Sequence, residues 1–356
     1  MIAGVEWIAN EREHTRLKGG PEAGLMPAAR GFDGGSDDQH LVWIDAWMYR
    51  ALASVTEVLQ SIHHKDAERW ANERDDYRKC FQAAYRNQVE RITRWKDASG
   101  ELVSFIPWSF EQMDPRRLDI FYVDCGPMFL GVAGLLNAND SLMTLAMKWL
   151  NEGPNAGSAD PDWTEYANTP TLRYEMSSVE PCYSWNVYLR FLRNEHDKFL
   201  EGFYSLAAGS VSRKFLGGDE HRDGIQDLPT MNSVIDNHLR NMLVFENENG
   251  EGLDLLRNSP SAWLRPGKNI RVRDALTSFG AVSYQLHSSD RDVEATIQCP
   301  SSGGPAWLHL YLYPPDNKAI QLAKVNGTSQ PVKDGIVEIR SPSGTVHVSA
   351  EFSRAQ

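Results

Sequence analysis

Residues 24–60 read GLMPAARGFDGGSDDQHLVWIDAWMYRALASVTEVLQ, and they predict a polar loop followed by a helix that is buried along one side. Apolar residues recur here at three- and four-residue spacing, which is typical of an amphipathic helix. The stripe consists of Ile44, Met48, Ala51, Leu52, Val55, Val58, Leu59 and Ile62. Asp45 lies near the helix start, where the helix dipole favours an anion, so we expect a capping or hydrogen-bonding role for it.

The loop before this helix carries side chains that suit sugar recognition. Acid, amide and imidazole groups come first, and aromatic rings follow on the first helical turns. The residues are Asp37, Asp38, Gln39 and His40, followed by Trp43, Trp47 and Tyr49. Aromatic rings stack on the apolar faces of sugars, while polar groups bond their hydroxyls. The stretch therefore predicts the rim of a carbohydrate site.

The composition is that of a globular protein with an acidic surface. The chain has 356 residues, 41% of them hydrophobic, and a formal net charge of −12. That charge argues against nucleic acid or an anionic membrane surface as the main partner. The eleven Trp residues favour a carbohydrate substrate as the partner, although most Trp residues in any chain belong to the core.

The cysteines and local motifs predict neither a metal nor a cofactor. The four cysteines, Cys80, Cys125, Cys182 and Cys299, are scattered without a CxxC pair and are expected to be reduced, packed thiols. We find no glycine-rich phosphate loop and no GxSxG nucleophile elbow. We therefore expect a protein that works without a cofactor.

The N-terminus gives the expectation for localisation. Residues 1–14, MIAGVEWIANEREH, lack the basic start and long apolar core of a signal peptide. No apolar run approaches the ~18 residues of a membrane span. The chain as written is expected in the cytoplasm, and a secreted or periplasmic location stays open for a truncated form of a longer protein.

The first 250 residues predict alternating helices and loops. Besides the helix described above, helices are expected at 1–16, 65–95, 119–136, 138–151, 182–191, 195–213 and 231–245. Long irregular segments at 155–181 and 214–228 lie between some of them, and such loops are usually functional. Buried aromatic helices alternate with amphipathic ones, which is typical of an (α/α) toroid whose inner helices form a funnel. Residues 1–250 are therefore expected to form a toroid domain.

The last hundred residues show a different pattern. Short runs with period-two alternation are separated by Gly, Pro, Asn and Asp. They are NIRVRDALTSFGAVSYQLHSS, DVEATIQCP, AWLHLYLYPP, AIQLAKVNG, GIVEIRS and TVHVSAEFS. Asn326-Gly327 is a strong hairpin signal. Residues 251–356 are therefore expected to form an antiparallel β-sandwich of six to eight strands.

Two stretches resemble the C-terminal part of six-hairpin, (α/α)6-toroid glycosidases of the rhamnosidase and glucoamylase kind. One is GLMP…WIDAWMYRALASVTEVL, and the more specific one is NHLRNMLVFENENGEGLDLLRNSPSAWLRPGKNIRVRDALTSFGAVSYQL, followed by strands that end in a KVNG turn. The second stretch covers about fifty residues, and the middle of the chain is similar in pattern only. The resemblance implies a glycoside hydrolase with its site in the toroid and its catalytic groups in the loops before the inner helices.

The chain departs from this family in two respects. A complete toroid has twelve helices, whereas the pattern here predicts about eight, and full-length relatives carry N-terminal β domains. We therefore expect a fragment, a truncated product or a reduced relative, with the N-terminal domains of a longer polypeptide missing. Whether both catalytic carboxylates are present is left open.

Glycoside hydrolysis needs a carboxylic acid and a second carboxylate on the same bond. Glu180 has the most suggestive setting, because it ends the longest loop beside Tyr183 and Trp185, whose rings would raise its pKa by desolvation. Other candidates are Asp37 and Asp38, with His40 as a relay, and Glu220 within the acidic loop at Asp219–His221. Each of these acids is also explained as a solvated loop residue without a catalytic role. Asp124 is better explained as a buried helix-start residue.

The candidates for sugar stacking are Trp43, Trp47, Trp108, Tyr183 and Trp185. Their helical spacing is equally typical of core residues, so only some of them are expected to touch a ligand.

Three functions follow from these patterns. The first is hydrolysis of a terminal glycosidic bond in an oligo- or polysaccharide, with Glu180 paired to a carboxylate of the first or last loop. The second is a polysaccharide lyase that uses Tyr183 or a histidine as its base, although the acidic charge weakens attraction to a polyanionic substrate. The third is a non-catalytic carbohydrate-binding fragment. The sugar, the stereochemistry and the oligomeric state remain open.

Overall fold

A computed structural model of the chain describes residues 1–30, 38–113, 126–152, 185–211, 217, 229–247, 250–300 and 303–353. These residues form a mixed α and β protein with eight α-helices and largely antiparallel sheets. They fall into two compact units, one within residues 1–193 and 204–231 and the other within 194–203 and 232–356. The expected division after residue 250 stays a prediction.

Three long helices open the first unit, namely α1 (Ile2–Lys18), α2 (Val42–Ser61) and α3 (Ala67–Arg91). The helix expected from the opening stretch is α2, but its predicted apolar stripe is partly wrong. Ala51 is exposed, and Val58 and Ile62 are 41% and 62% exposed. The buried residues are Val42, Asp45, Ala46, Tyr49, Leu52, Ala53, Thr56 and Leu59. The buried face includes polar side chains because α2 packs against both α1 and α3, and α3 supplies partners for them.

A buried arginine joins α1 to its neighbours. The Arg12 side chain is fully buried, and its Nε donates a hydrogen bond to the Gly24 carbonyl at 2.8 Å. Its guanidinium also bonds the carboxylates of Glu73 and Asp76 and lies 4.1 Å from the centre of the Tyr77 ring. A buried cation is tolerated only when it is paired and hydrogen-bonded in this way.

Helix α3 ends at Arg91, four residues before the expected end. Trp95–Lys96 form strand β1, which pairs with β2 (Leu102–Val103). Between them, Asp97 Oδ1 accepts hydrogen bonds from the backbone N–H groups of Ser99 and Glu101, both at 2.9 Å. The residues after α3 therefore form the turn of a short hairpin.

The remaining helices are shorter. They are α4 (Met128–Val132), α5 (Ser141–Glu152), α6 (Trp185–Leu192), α7 (His196–Ser210) and α8 (Pro229–Leu243). In the described part of the helix expected at 119–136, α4 is buried from Met128 to Gly131 and ends at Val132, four residues before the expected end. The last predicted helix also ends early, because Val244–Glu246 form a strand that pairs with the strand after it.

Eleven strands in the described part of the second unit build two sheets. They are β3 (Val244–Glu246), β4 (Gly252–Leu255), β5 (Asn269–Thr277), β6 (Gly280–Ser288), β7 (Asp292–Cys299), β8 (Trp307–Tyr311), β9 (Ile320–Val325), β10 (Thr328–Gln330), β11 (Val332–Lys333), β12 (Ile336–Arg340) and β13 (Gly344–Phe352). One sheet has the order β10-β9-β13-β7-β6-β5, and the other has the order β11-β12-β8-β4-β3. All neighbours are antiparallel except β4 and β8, which are parallel.

The predicted strands are confirmed, but six to eight were expected and the described residues of the second unit form eleven. Strands β3, β4, β10 and β11 have two to four residues each, and β4 is buried at every position, so none shows a period-two pattern. The Asn326-Gly327 turn is confirmed between β9 and β10, with φ values of 48° and 81°. Buried residues from both sheets belong to one hydrophobic cluster, which includes Leu286, Ile297, Leu308 and Val337.

No helix in the described part of the chain is long and apolar enough to cross a membrane.

Candidate functional site

The start of α2 is held by a loop that α3 positions. The Tyr85 hydroxyl of α3 donates to the Pro107 carbonyl at 2.5 Å, and Gln88 Nε2 donates to the Phe110 carbonyl at 2.7 Å. The Trp108 carbonyl in turn accepts the Val42 N–H at 2.9 Å. Two buried polar side chains of one helix therefore fix residues 107–110, and these residues fix the point where α2 begins.

The same loop brings a carboxylate to His40. The His40 Nδ1 lies 2.7 Å from Glu111 Oε1, and the His40 backbone N–H lies 3.1 Å from Glu111 Oε2. The Phe110 N–H donates to the His40 carbonyl at 3.1 Å, which adds a backbone link. Both side chains keep contact with solvent, since His40 is 23% and Glu111 44% exposed.

The two groups of this pair have shifted pKa values. The hydrogen bond to Glu111 raises the pKa of His40 against the opposing effect of partial burial. Burial pushes the pKa of Glu111 upwards, but the hydrogen bonds from the His40 side chain and backbone outweigh it and lower the pKa. Both shifts favour the charged forms of the pair, a protonated His40 and an ionised Glu111.

An aromatic cluster lies one turn further along α2. Trp47 is 40% exposed and contacts Trp43, Phe129 and Trp185, with ring centroids 6.3, 4.4 and 6.2 Å away. Phe129 and Trp185 are 4.8 Å apart. We call Trp43, Trp47, Phe129 and Trp185 the aromatic cluster. Three helices contribute to it, and one large ring remains open to solvent.

A glycine on α4 allows this cluster to form. A Cβ atom at Gly131 would lie 2.7 Å from Leu189 Cδ1 of α6, so a larger residue there would require the Leu189 side chain to move. With glycine there, α4 and α6 pack closely, and Phe129 reaches Trp185 at the start of α6.

Asp45 has the hydrogen-bonding role that its position in the helix predicts. It is 1% exposed, and its Oδ1 accepts the Met26 N–H at 3.0 Å and the Tyr77 hydroxyl at 2.6 Å. Burial raises the pKa of Asp45 to about 6 despite these two bonds. The carboxyl is closed off from solvent, so it supports the loop before α2 and cannot reach a substrate.

Comparisons with known proteins give limited information. No protein-family profile and no curated protein sequence matches the chain. Among solved structures, it is similar to the alpha-L-rhamnosidase from Dictyoglumus thermophilum, with 8% identity over 86% of this chain and a TM-score of 0.43. It is also similar to the Streptomyces avermitilis alpha-L-rhamnosidase complexed with L-rhamnose, with 12% identity over 97% of this chain and a TM-score of 0.46.

The chain spans about a third of the length of these structures, 31% and 30% respectively. Both TM-scores are below 0.5, so the likeness does not decide the fold or the activity.

The structure brings together three of the predicted stacking residues, Trp43, Trp47 and Trp185. Trp108 is only 6% exposed, and Tyr49, which was expected on the rim, is 1% exposed and packs against Tyr77 in the core. Asp38 is 67% exposed, with Arg30 at 3.7 Å. The candidates Asp37, Glu180, Glu220 and Tyr183 lie outside the described residues, as do Asp124, Asp219 and His221.

The sequence interpretation named neither Glu111 nor Phe129 as a member of the site. Glu111 lies 71 positions from His40 in the sequence, and no local pattern connects them. A signal for Phe129 exists in retrospect, because Gly131 follows it within an apolar helix, and such a glycine indicates close packing of a neighbour. In the described residues, no group of three or more His, Cys, Asp or Glu side chains is arranged to hold a metal ion.

Proposed function

We propose that the chain is a glycoside hydrolase of the six-hairpin kind, which cleaves a terminal glycosidic bond of an oligo- or polysaccharide. In this proposal residues 1–250 form a toroid-type domain and residues 251–356 a β-sandwich. The observation that carries it is the aromatic cluster with its exposed Trp47 on α2, the helix that begins two residues after His40 of the partly exposed His40–Glu111 pair. Sugars need both an aromatic surface for their C–H faces and charged groups for their hydroxyls.

The cluster supports binding of a sugar ring at the start of α2. Trp47 offers the open ring, while Trp43, Phe129 and Trp185 hold it in place through edge and tilted contacts. His40 precedes Trp43 by three residues, and the His40–Glu111 pair supplies polar groups for hydroxyls.

The proposed chemistry uses two carboxyl groups. Glu180 acts as the general acid that protonates the leaving oxygen, and a carboxylate from the first or last loop, Asp37, Asp38 or Glu220, acts on the other side of the bond. Inverting enzymes hold these groups ~6.5–9.5 Å apart to admit a water, and retaining enzymes ~5–5.5 Å. Glu111 does not fit the acid role, because its lowered pKa keeps it ionised; it positions His40.

One observation favours a binding protein without catalysis as the second candidate. Among the described carboxyl groups, the one whose pKa is raised is Asp45, and Asp45 is closed off from solvent. A general acid needs both a raised pKa and access to the leaving group.

The decisive experiment measures hydrolysis of a panel of terminal aryl glycosides and neutral oligosaccharides by the wild type and by Glu180→Gln. We expect turnover by the wild type and a loss of at least about a hundredfold in the variant, which is the scale of acid catalysis. Glu57→Gln on the exposed side of α2 is the matched control and should keep full activity. Circular dichroism verifies that both variants are folded.

A second arm tests the aromatic cluster by binding. Trp47→Ala should weaken sugar binding roughly two- to tenfold, the worth of one aromatic contact. Trp7→Ala, at a Trp that is 50% exposed on α1, should leave it unchanged. Binding that depends on Trp47 without any hydrolysis would favour the binding protein. An unsaturated uronate product would favour the lyase, and unchanged turnover in Glu180→Gln would remove Glu180 from the mechanism.

A further inference from the structure

Strand β8 and the residues after it carry a row of rings on one face. Trp307, His309, Tyr311 and Tyr313 alternate with Leu308, Leu310 and Leu312, which are at most 1% exposed and belong to the hydrophobic cluster of the second unit. Neighbouring rings of the row are 4.2, 6.2 and 6.4 Å apart. The row therefore lies on the face of the five-stranded sheet that points away from this hydrophobic cluster.

One end of this row is open and the other is closed. Tyr311 is 7% exposed, and Tyr313 is stacked on His196 at 4.0 Å. At the opposite end, His309 keeps 24% of its side chain exposed, and Trp307 is also partly exposed. These last two rings stack at 4.2 Å with 25° between their planes, so they present one joined surface to solvent.

The neighbouring strand makes room for Trp307. Gly252 of β4 is paired with Trp307 of β8, and a Cβ atom there would lie 2.2 Å from the indole ring. The ring thus occupies the space that a side chain at residue 252 would fill. A glycine in a strand interior is weakening unless another group uses the space it leaves.

Carboxylate side chains of the two neighbouring strands flank His309. In the sheet register, His309 lies between Asp254 of β4 and Glu338 of β12. Its Nδ1 is 3.3 Å from Asp254 Oδ1, and its Nε2 is 3.6 Å from Glu338 Oε2. Asp254 is 1% exposed, and its other oxygen pairs with Arg257 at 2.9 Å. The imidazole therefore lies between two carboxylate side chains.

His309 also lines a cleft of about 770 Å³ at the edge of the sheet. Its charged lining residues are Lys333, Asp334, Glu338 and Arg340, two of each sign, and Asn326 and Gln330 add amide groups. Because these charges balance, the cleft has no attraction for a polyanion. Partly exposed rings next to balanced polar groups match a neutral sugar, which has apolar faces and many hydroxyls.

We infer that Trp307, His309, Glu338, Arg340 and the adjoining cleft form a second carbohydrate-binding site, which takes a neutral oligosaccharide and performs no chemistry. The site lies in the second unit, whereas the aromatic cluster lies in the first. It does not depend on hydrolysis, so it holds whether the first unit is an enzyme or a binding protein. Its expected effect is to keep the protein on a polymeric substrate.

The test is a titration of the full chain with neutral hexasaccharides of glucose, xylose and mannose, followed by calorimetry. Trp307→Ala should weaken binding of the recognised hexasaccharide at least about fivefold, the scale of one aromatic contact. Glu338→Ala and Arg340→Ala lie at positions 45% and 85% exposed and should each weaken it without affecting the fold. These two variants keep the test valid if Trp307→Ala fails to fold.

Matched controls lie on the outer face of the other sheet. Glu294→Ala and Arg273→Ala remove one acid and one base at exposed positions of β7 and β5 and should leave binding unchanged. Trp47→Ala should leave this binding in place as well, which separates it from the proposed active site. The inference is overturned if no hexasaccharide binds saturably, or if binding survives Trp307→Ala, Glu338→Ala and Arg340→Ala unchanged.

Discussion

Asp45 and Glu111 are carboxyl groups beside the start of the same helix, and their surroundings shift their pKa values in opposite directions. Asp45 is enclosed, so burial raises its pKa to about 6 although it accepts two hydrogen bonds. Glu111 is half exposed, and the bonds from His40 overcome the effect of burial and lower its pKa. The balance between desolvation and hydrogen bonding to the charged form decides the direction in each case.

The first prediction concerns the His40–Glu111 pair. Glu111→Gln removes the negative charge that helps to raise the pKa of His40 and leaves only a neutral amide oxygen as acceptor, so the pKa of His40 should fall. The measurement is an NMR titration of the His40 ring protons in the wild type and the variant. Glu57→Gln serves as a control and should leave the pKa of His40 unchanged. An unchanged His40 pKa in Glu111→Gln would show that the pair does not form in solution.

At the scale of elements, two glycines differ in the space around them. Gly252 in β4 leaves space that the Trp307 ring fills, whereas Gly4 in α1 is exposed, and a Cβ atom at that position would have nothing within 4 Å. A glycine of the first kind is required by packing, and one of the second kind only weakens its helix.

Alanine at these two positions should therefore have effects of opposite sign. Gly252→Ala pushes the Trp307 ring out of place and should destabilise the fold by about 1–3 kcal/mol, as overpacking does. Gly4→Ala should stabilise it by about 0.5–1 kcal/mol, because alanine is the better helix former. Chemical denaturation of each variant against the wild type measures both. A Gly252→Ala variant as stable as the wild type would mean that the indole ring lies elsewhere.

At the scale of the whole molecule, the two units carry buried groups with opposite pH dependence. Asp45 in the first unit has a folded pKa of about 6, raised from 3.8, so its contribution to stability is present below pH 3.8 and is lost as the pH rises through 6. His238 in the second unit is 4% exposed between Phe199 and Phe203, and burial lowers its pKa from 6.5 to about 4. Its contribution is present above pH 6.5 and is lost as the pH falls towards 4.

Two neutral variants should separate these effects. Relative to the wild type, Asp45→Asn should gain stability as the pH rises from about 4 to 6, and His238→Asn should gain it as the pH falls from about 6.5 to 4, each by up to about 3 kcal/mol. The measurement is urea denaturation at several pH values, which gives the difference in the free energy of unfolding between variant and wild type at each pH. For Glu57→Gln, the difference in the free energy of unfolding from the wild type should not change with pH. A flat difference for either buried group would mean that its pKa is not shifted by folding.

The sequence by itself determined the elements whose signals are local. The period of the apolar residues predicted α2 and the long strands, and Asn326-Gly327 predicted its hairpin, because backbone preferences and amphipathic spacing act over a few residues. Strands of two to four residues, such as β3 and β4, escaped prediction since their pairing supplies the stability that their own residues lack.

Only the tertiary structure decided which faces are buried and which side chains meet. The buried face of α2 includes Asp45 and Tyr49 because Tyr77 of α3 bonds one and packs on the other. The His40–Glu111 pair and the contact of Trp47 with Phe129 join residues 71 and 82 positions apart. Such contacts leave no periodic trace in the chain, since burial and pairing depend on neighbours that only the fold brings together.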